Sequence, residues 1–190
     1  MRHPKSVLFA GEKPFPMLPA VDHYAGSEKL MRKAMQLQKE LGPVFDITCD
    51  CEDGAHAGAE AEHARMAARI VMSDDNRFGR VGARIHDITH PHWEQDVDIL
   101  VGLAGSRLAF LTIPKVRCAA DAARQIESIR SAEERHGIER EIPVHVLIET
   151  HGALREAWEI AALDRVESLD FGLMDFVSGH HGAIPRSEEH

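Results

Sequence analysis

Glu149 and Asp175 are two carboxylates that close or follow consecutive apolar runs, 144–149 and 168–173. If both runs are parallel strands, their ends share one rim. Two hard oxygen donors there suit Mg²⁺, or Mn²⁺, because such a cation needs few protein ligands and keeps positions for water and substrate. A cation held in this way polarises a carbonyl or hydroxyl oxygen of a bound acid and stabilises enolate charge. Arg84, in the run 80–86, adds a fixed donor for a carboxylate or an oxyanion. The three together fit the making or breaking of a carbon–carbon bond. Glu52 and Asp53, in Asp50-Cys51-Glu52-Asp53-Gly54, and Lys115, after Pro114, end two further runs on the same rim. Each residue alone has an ordinary reading: an acid at a strand end caps the next helix, and a lone Lys or Arg is solvated. Glu149 also has a structural reading, a buried ion pair with Arg84 across the mouth of the sheet.

The elements that must position these groups are repeated. Short apolar runs at 6–10, 44–50, 80–86, 109–116, 144–149 and 168–173 alternate with segments of helical period at 27–41, 59–73, 92–103, 119–136 and 152–163. This is the pattern of βα units on a parallel sheet. The units recur about every 32 residues, against about 31 in a (β/α)₈ barrel. The spacing therefore predicts an α/β TIM barrel of which residues 1–190 form a single incomplete domain, with six units present and strands seven and eight absent. Such an open array is expected to expose apolar edges and a hydrophobic interior. The rival, a doubly wound sheet, lacks its fingerprints, since neither G-x-G-x-x-G nor a P-loop motif occurs.

Composition narrows the function classes. The chain carries 22 Lys+Arg against 31 Asp+Glu, a formal charge of −9, which argues against nucleic acid as a partner. No run approaches the roughly 20 apolar residues of a membrane span, and the apolar stretch after the N-terminus is too short for a signal peptide. Three cysteines, of which Cys49 and Cys51 alternate on opposite faces of one strand, suit a reducing cytoplasm rather than a disulfide scaffold. Among the histidines of His86-Asp-Ile-Thr-His90-Pro-His92, Pro91 argues against a helical metal-binding pair.

Five segments in order carry a resemblance. Asp46-Ile-Thr-Cys-Asp50-Cys-Glu52-Asp53-Gly54, Ala83-Arg84-Ile85-His86, Ile113-Pro114-Lys115-Val116, Leu147-Ile148-Glu149-Thr150 and Asp170-Phe171-Gly172-Leu173-Met174-Asp175 resemble motifs of the citrate lyase β-subunit-like proteins in the HpcH/HpaI aldolase family. His86 stands where that family has Asn. The resemblance implies a Mg²⁺-dependent lyase on a TIM barrel that cleaves or condenses a short hydroxy acid or its coenzyme A thioester, of the malyl-, citramalyl- or citryl-CoA class. It places the metal carboxylates on Glu149 and Asp175 and the substrate-binding arginine on Arg84, with Glu52, Asp53 and Lys115 in support. It also implies a homo-oligomer, a trimer or hexamer. Two other functions stay open on the same residues: a non-catalytic paralogue or partner subunit, and a thioesterase.

Overall fold

The computed structural model describes residues 18–19, 21–55 and 57–182. Six strands lie parallel in sequence order: β1 (Asp22–Ala25), β2 (Asp46–Asp50), β3 (Val81–Arg84), β4 (Leu111–Ile113), β5 (Val144–Ile148) and β6 (Val166–Phe171). Helices α1 (Glu28–Leu41), α2 (Glu60–Met72), α3 (Trp93–Ala104) and α4 (Ala119–His136) fill the first four crossovers, and the pair α5 (His151–Arg155) and α6 (Ala157–Ala161) fills the fifth. A short helix, α7 (Leu173–Gly179), follows β6. Strand order that never reverses is barrel topology, whereas a doubly wound sheet switches direction at its centre. The sheet curls far enough that side chains of β1, β5 and β6 meet, with ligating atoms of Asp22, His145 and Asp170 all within 4.8 Å of one another. The chain is a partial TIM barrel.

Local chemistry accounts for most element boundaries. Ser27 caps α1 by accepting the Leu30 N–H at 3.4 Å, and Gly42, at φ 85°, ends that helix. Thr150 caps α5, accepting the Ala153 N–H at 3.0 Å while its hydroxyl donates to the Val116 carbonyl at 2.7 Å. In α4 the stripe Ala122, Ile126 and Ile129 is buried against the sheet.

The register separates the two faces of the sheet. Pairing of Tyr24 with Thr48, Thr48 with Gly82, Asp50 with Arg84, Arg84 with Thr112, Thr112 with His145 and His145 with Ser168 sets polar residues on the inner, concave face. Ile47, Cys49, Val81, Ala83, Leu111, Ile113, Val144 and Val146 alternate with them and pack under the helices as the core. The hydrophobic interior expected from sequence is thus corrected: the apolar layer lies outside the sheet, and the inner face is largely polar.

Other boundaries differ from expectation. The run 6–10 lies outside the described residues, and the first strand of the sheet is Asp22–Ala25, whose inward Asp22 and Tyr24 break any apolar run. The segment 152–163 is two short helices because Glu156, at φ −105° and ψ 24°, interrupts the helical backbone. The sixth strand ends at Phe171, which moves Asp175 from a strand end to the first turn of α7. Cys49 and Cys51 are free and buried, and burial pushes the Cys49 thiol up to about 12. No helix among the described residues is long and apolar enough to cross a membrane.

Candidate active site

The rim is built outward from the β2 loop. Asp50 accepts the backbone N–H groups of Glu52 at 3.0 Å and Gly54 at 2.9 Å, so its carboxylate folds the turn that follows it. Gly54 is required by space: a Cβ there would lie 2.5 Å from Asp50 Oδ2. The same carboxylate accepts two bonds from Arg84, Nε at 2.8 Å and Nη2 at 2.7 Å. Arg84 Nη1 reaches Glu52 Oε2 at 2.9 Å, and the guanidinium carbon stands 5.2 Å from the Tyr24 ring centroid. Arg84 is therefore oriented by Asp50 and Glu52, and the Glu149–Arg84 ion pair is not formed.

Lys115 joins the two halves of the rim. Its Nζ lies 3.0 Å from Glu52 Oε1 and 2.9 Å from Asp53 Oδ1. Its backbone takes a positive φ of 50°, and its N–H donates to Glu149 Oε1 at 2.6 Å. The other Glu149 oxygen lies over Gly172, where a Cβ would come within 2.3 Å of it. That glycine keeps the space in which the carboxylate sits. Glu149 and Asp175 line one cavity of about 480 Å³, together with Lys115, Arg117 and Thr150. Glu52, Asp53, His86, His90 and Lys115 line a neighbouring cavity of about 240 Å³.

Electrostatics follow from burial. Burial pushes the Glu149 carboxyl up to about 7; the Lys115 N–H pulls it down, and Asp175 and Glu52 push it further up. Burial likewise pushes Glu52 to about 7 against the pull of Arg84 and Lys115. For Asp50, burial acts upward, but the bonds and charge of Arg84 outweigh it and hold the carboxyl below its ordinary value. Glu149, buried and pushed further up by the charge of Asp175 across a shared cavity, makes with it a pair of oxygen donors whose charge a hard divalent cation such as Mg²⁺ would neutralise.

All six predicted residues thus stand on one rim. Two further residues belong to the site: Asp50, inside the motif that ends β2, and Asp96, which is fully buried and accepts from the His86 backbone N–H at 3.0 Å while lying 2.6 Å from ring Nδ1. Burial acts to lower the His86 ring, yet Asp96 raises it above its ordinary value. The signal for Asp96 was an acid placed on the apolar stripe of α3 beside Val97, Leu100 and Val101.

Comparisons with known proteins bear on the family and the fold. The family model for HpcH/HpaI aldolase/citrate lyase matches residues 44–183. The L-malyl-CoA/β-methylmalyl-CoA lyase of Cereibacter sphaeroides is 31% identical over 136 residues, which cover 70% of this chain and 42% of that protein. The crystal structure of a citrate lyase from Burkholderia xenovorans LB400 is 52% identical, with a TM-score of 0.84, over 92% of this chain and 55% of that one. The citrate lyase β subunit of M. tuberculosis, complexed with oxaloacetate and magnesium, shares the fold at 17% identity and a TM-score of 0.63, over 90% of this chain and 67% of that one. The chain spans less than half the length of the curated relative. With the five motifs, the partial barrel and the matched family model in agreement, this chain belongs to the HpcH/HpaI aldolase/citrate lyase family.

Proposed function

We propose that this chain carries the metal- and substrate-binding rim of a Mg²⁺-dependent carbon–carbon lyase acting on a short hydroxy acid or its coenzyme A thioester, of the malyl-, citramalyl- or citryl-CoA class. The observation that carries the reading is the single rim on which Glu149 and Asp175 line one cavity, with Lys115 linking it to Glu52 and Arg84. The names of the relatives, lyases of malyl-CoA and a citrate lyase subunit complexed with magnesium, support the same class.

In this reading Glu149 and Asp175 hold the cation, which when bound polarises an oxygen of the acid and stabilises enolate charge. Arg84 commits Nε and one Nη2 hydrogen to Asp50, and its Nη1 pairs by charge with Glu52 at 2.9 Å. The N–H groups not bonded to Asp50 are the ones offered to a substrate carboxylate, in a plane fixed by Asp50. Lys115 acts by position: its Nζ ties down Glu52 and Asp53, and its N–H aims Glu149. Cleavage of malyl-CoA moves the hydroxyl proton off as the C–C bond breaks and returns a proton to the enolate carbon, giving glyoxylate and acetyl-CoA.

The test is to incubate the protein with malyl-CoA and citramalyl-CoA, with and without Mg²⁺, and identify the products. Acetyl-CoA with glyoxylate or pyruvate is expected, reduced about a hundredfold or more in Glu149→Gln and Asp175→Asn. Free coenzyme A with an intact hydroxy acid would replace the lyase by a thioesterase. Cleavage unchanged in both variants would remove Glu149 and Asp175 from the mechanism.

A further inference from the structure

We propose a second metal site, separate from the rim, inside the curl of the sheet, where Asp22 of β1, His145 of β5 and Asp170 of β6 bind a divalent transition cation of the Zn²⁺ type. One nitrogen and two carboxylate oxygens from these residues lie within 4.8 Å of one another. Metal–ligand bonds of about 2.0–2.2 Å set donor atoms roughly 3–4 Å apart, so small side-chain rotations close the set around an ion. The residues come from three strands and from opposite sides of the curl, so this is not a run of surface acids.

Two observations point to a ligand here. His145 is only 3% exposed, yet its Nδ1 has no hydrogen-bond partner among the described residues. Asp170 Oδ2 stands 3.8 Å from it and is itself buried and unpartnered among those residues. A buried ring nitrogen and a buried carboxylate oxygen that face each other beyond bonding distance are costly unless something lies between them.

Each ligand is also held from behind, as metal ligands are. His145 Nε2 lies 3.4 Å from Glu167 Oε2, which leaves the Nδ1 lone pair turned inward, and the Phe110 ring stacks on the imidazole at 3.9 Å. Ser168 donates to Asp170 Oδ1 at 2.6 Å, leaving Oδ2 as the outstanding atom. Thr48 donates to both oxygens of Asp22, at 2.9 and 2.7 Å. The cluster opens on a cavity of about 420 Å³ lined also by Tyr24 and Leu147, with room for water or a small ligand as a further donor.

Chemistry separates this site from the rim. An imidazole with two carboxylates is softer than a pair of carboxylates and favours Zn²⁺, Co²⁺ or Mn²⁺ over Mg²⁺. Glu149 follows the end of β5 and lies four residues beyond His145, about 13 Å of extended chain at about 3.3 Å per residue. The two sites are too far apart to share an ion. A cation here would fasten β1 to β5 and β6 across the interior.

The test uses the full chain, stripped with chelator and then given Zn²⁺ in the presence of excess Mg²⁺ to hold the rim. Metal analysis is expected to find one Zn²⁺ per chain in the wild type and in Glu149→Gln, and affinity at least about tenfold lower in His145→Gln and Asp170→Asn. Co²⁺ gives a readout that needs no variant of the cluster: a visible d–d band of a mixed nitrogen and oxygen site should appear in both the wild type and Glu149→Gln. No Zn²⁺ uptake by the wild type, equal uptake in all variants, or a Co²⁺ band lost in Glu149→Gln would each overturn the proposal.

Discussion

The Asp50–Arg84 pair offers a test whose size can be worked from the geometry. Both residues are nearly buried, Asp50 at 4% and Arg84 at 8% exposure, and they share two bonds of 2.8 and 2.7 Å. Removing one member of a buried pair typically costs about 3–5 kcal/mol, because the other charge is left in low dielectric. Two features soften that here. Glu52 stays 2.9 Å from Nη1, and asparagine keeps one oxygen for Arg84 or the Glu52 N–H. Asp50→Asn should therefore cost about 2–3 kcal/mol, and for a chain of this size, at about 2–4 °C per kcal/mol, Tm should fall by about 4–12 °C. A double-mutant cycle with Arg84→Gln, read by chemical denaturation, should give a coupling of about 1.5–3 kcal/mol. The pH sign is fixed as well. The Asp50 carboxyl is held below 3.8, so its contribution is complete above that pH and is lost as pH falls through the lower folded value. A coupling under about 0.5 kcal/mol, within the usual error of additivity, would refute the claim that Asp50 holds Arg84.

Other consequences are equally direct. Gly172→Ala should push Glu149 aside, since the added Cβ would lie 2.3 Å from its Oε2, and Mg²⁺ affinity by calorimetry should fall about tenfold or more. Glu149 titrates near 7 in the folded chain against an ordinary 4.5, so the folded state binds the extra proton between those values. Metal-free stability should therefore decline as pH rises from 4.5 to 7, and Mg²⁺, binding the ionised form, should restore it most above pH 7 in thermal unfolding. Asp96→Asn should move the NMR titration of the His86 ring downward, because Asp96 is the partner that raises it.

What could be read from the chain beforehand depended on where side chains point. The runs around β2, β3 and β5 were legible because their outward residues, such as Ile47, Val81 and Val146, are continuous with the buried core. Helix α4 showed its stripe for the same reason. β1 was not legible: Asp22-His-Tyr-Ala has no apolar run, because Asp22 and Tyr24 face the polar interior. His145 sits within a run that reads as apolar and Asp170 within a motif, and only the register shows that both line the inner face. At the rim, Glu149 and Lys115 could be named from strand ends. Their connection could not, because it is a bond from the Lys115 backbone N–H to Glu149, which no side-chain type signals. Arg84 was legible as a donor, but its partner depends on register, which sets Asp50 directly opposite it.

Titration calorimetry of Mg²⁺ into the chelator-treated protein at pH 8 tests the proposed Mg²⁺ site of Glu149 and Asp175. A single Mg²⁺ should bind the wild type, with affinity at least about tenfold weaker in each of Glu149→Gln and Asp175→Asn. Mg²⁺ binding of wild-type strength in either variant would contradict it.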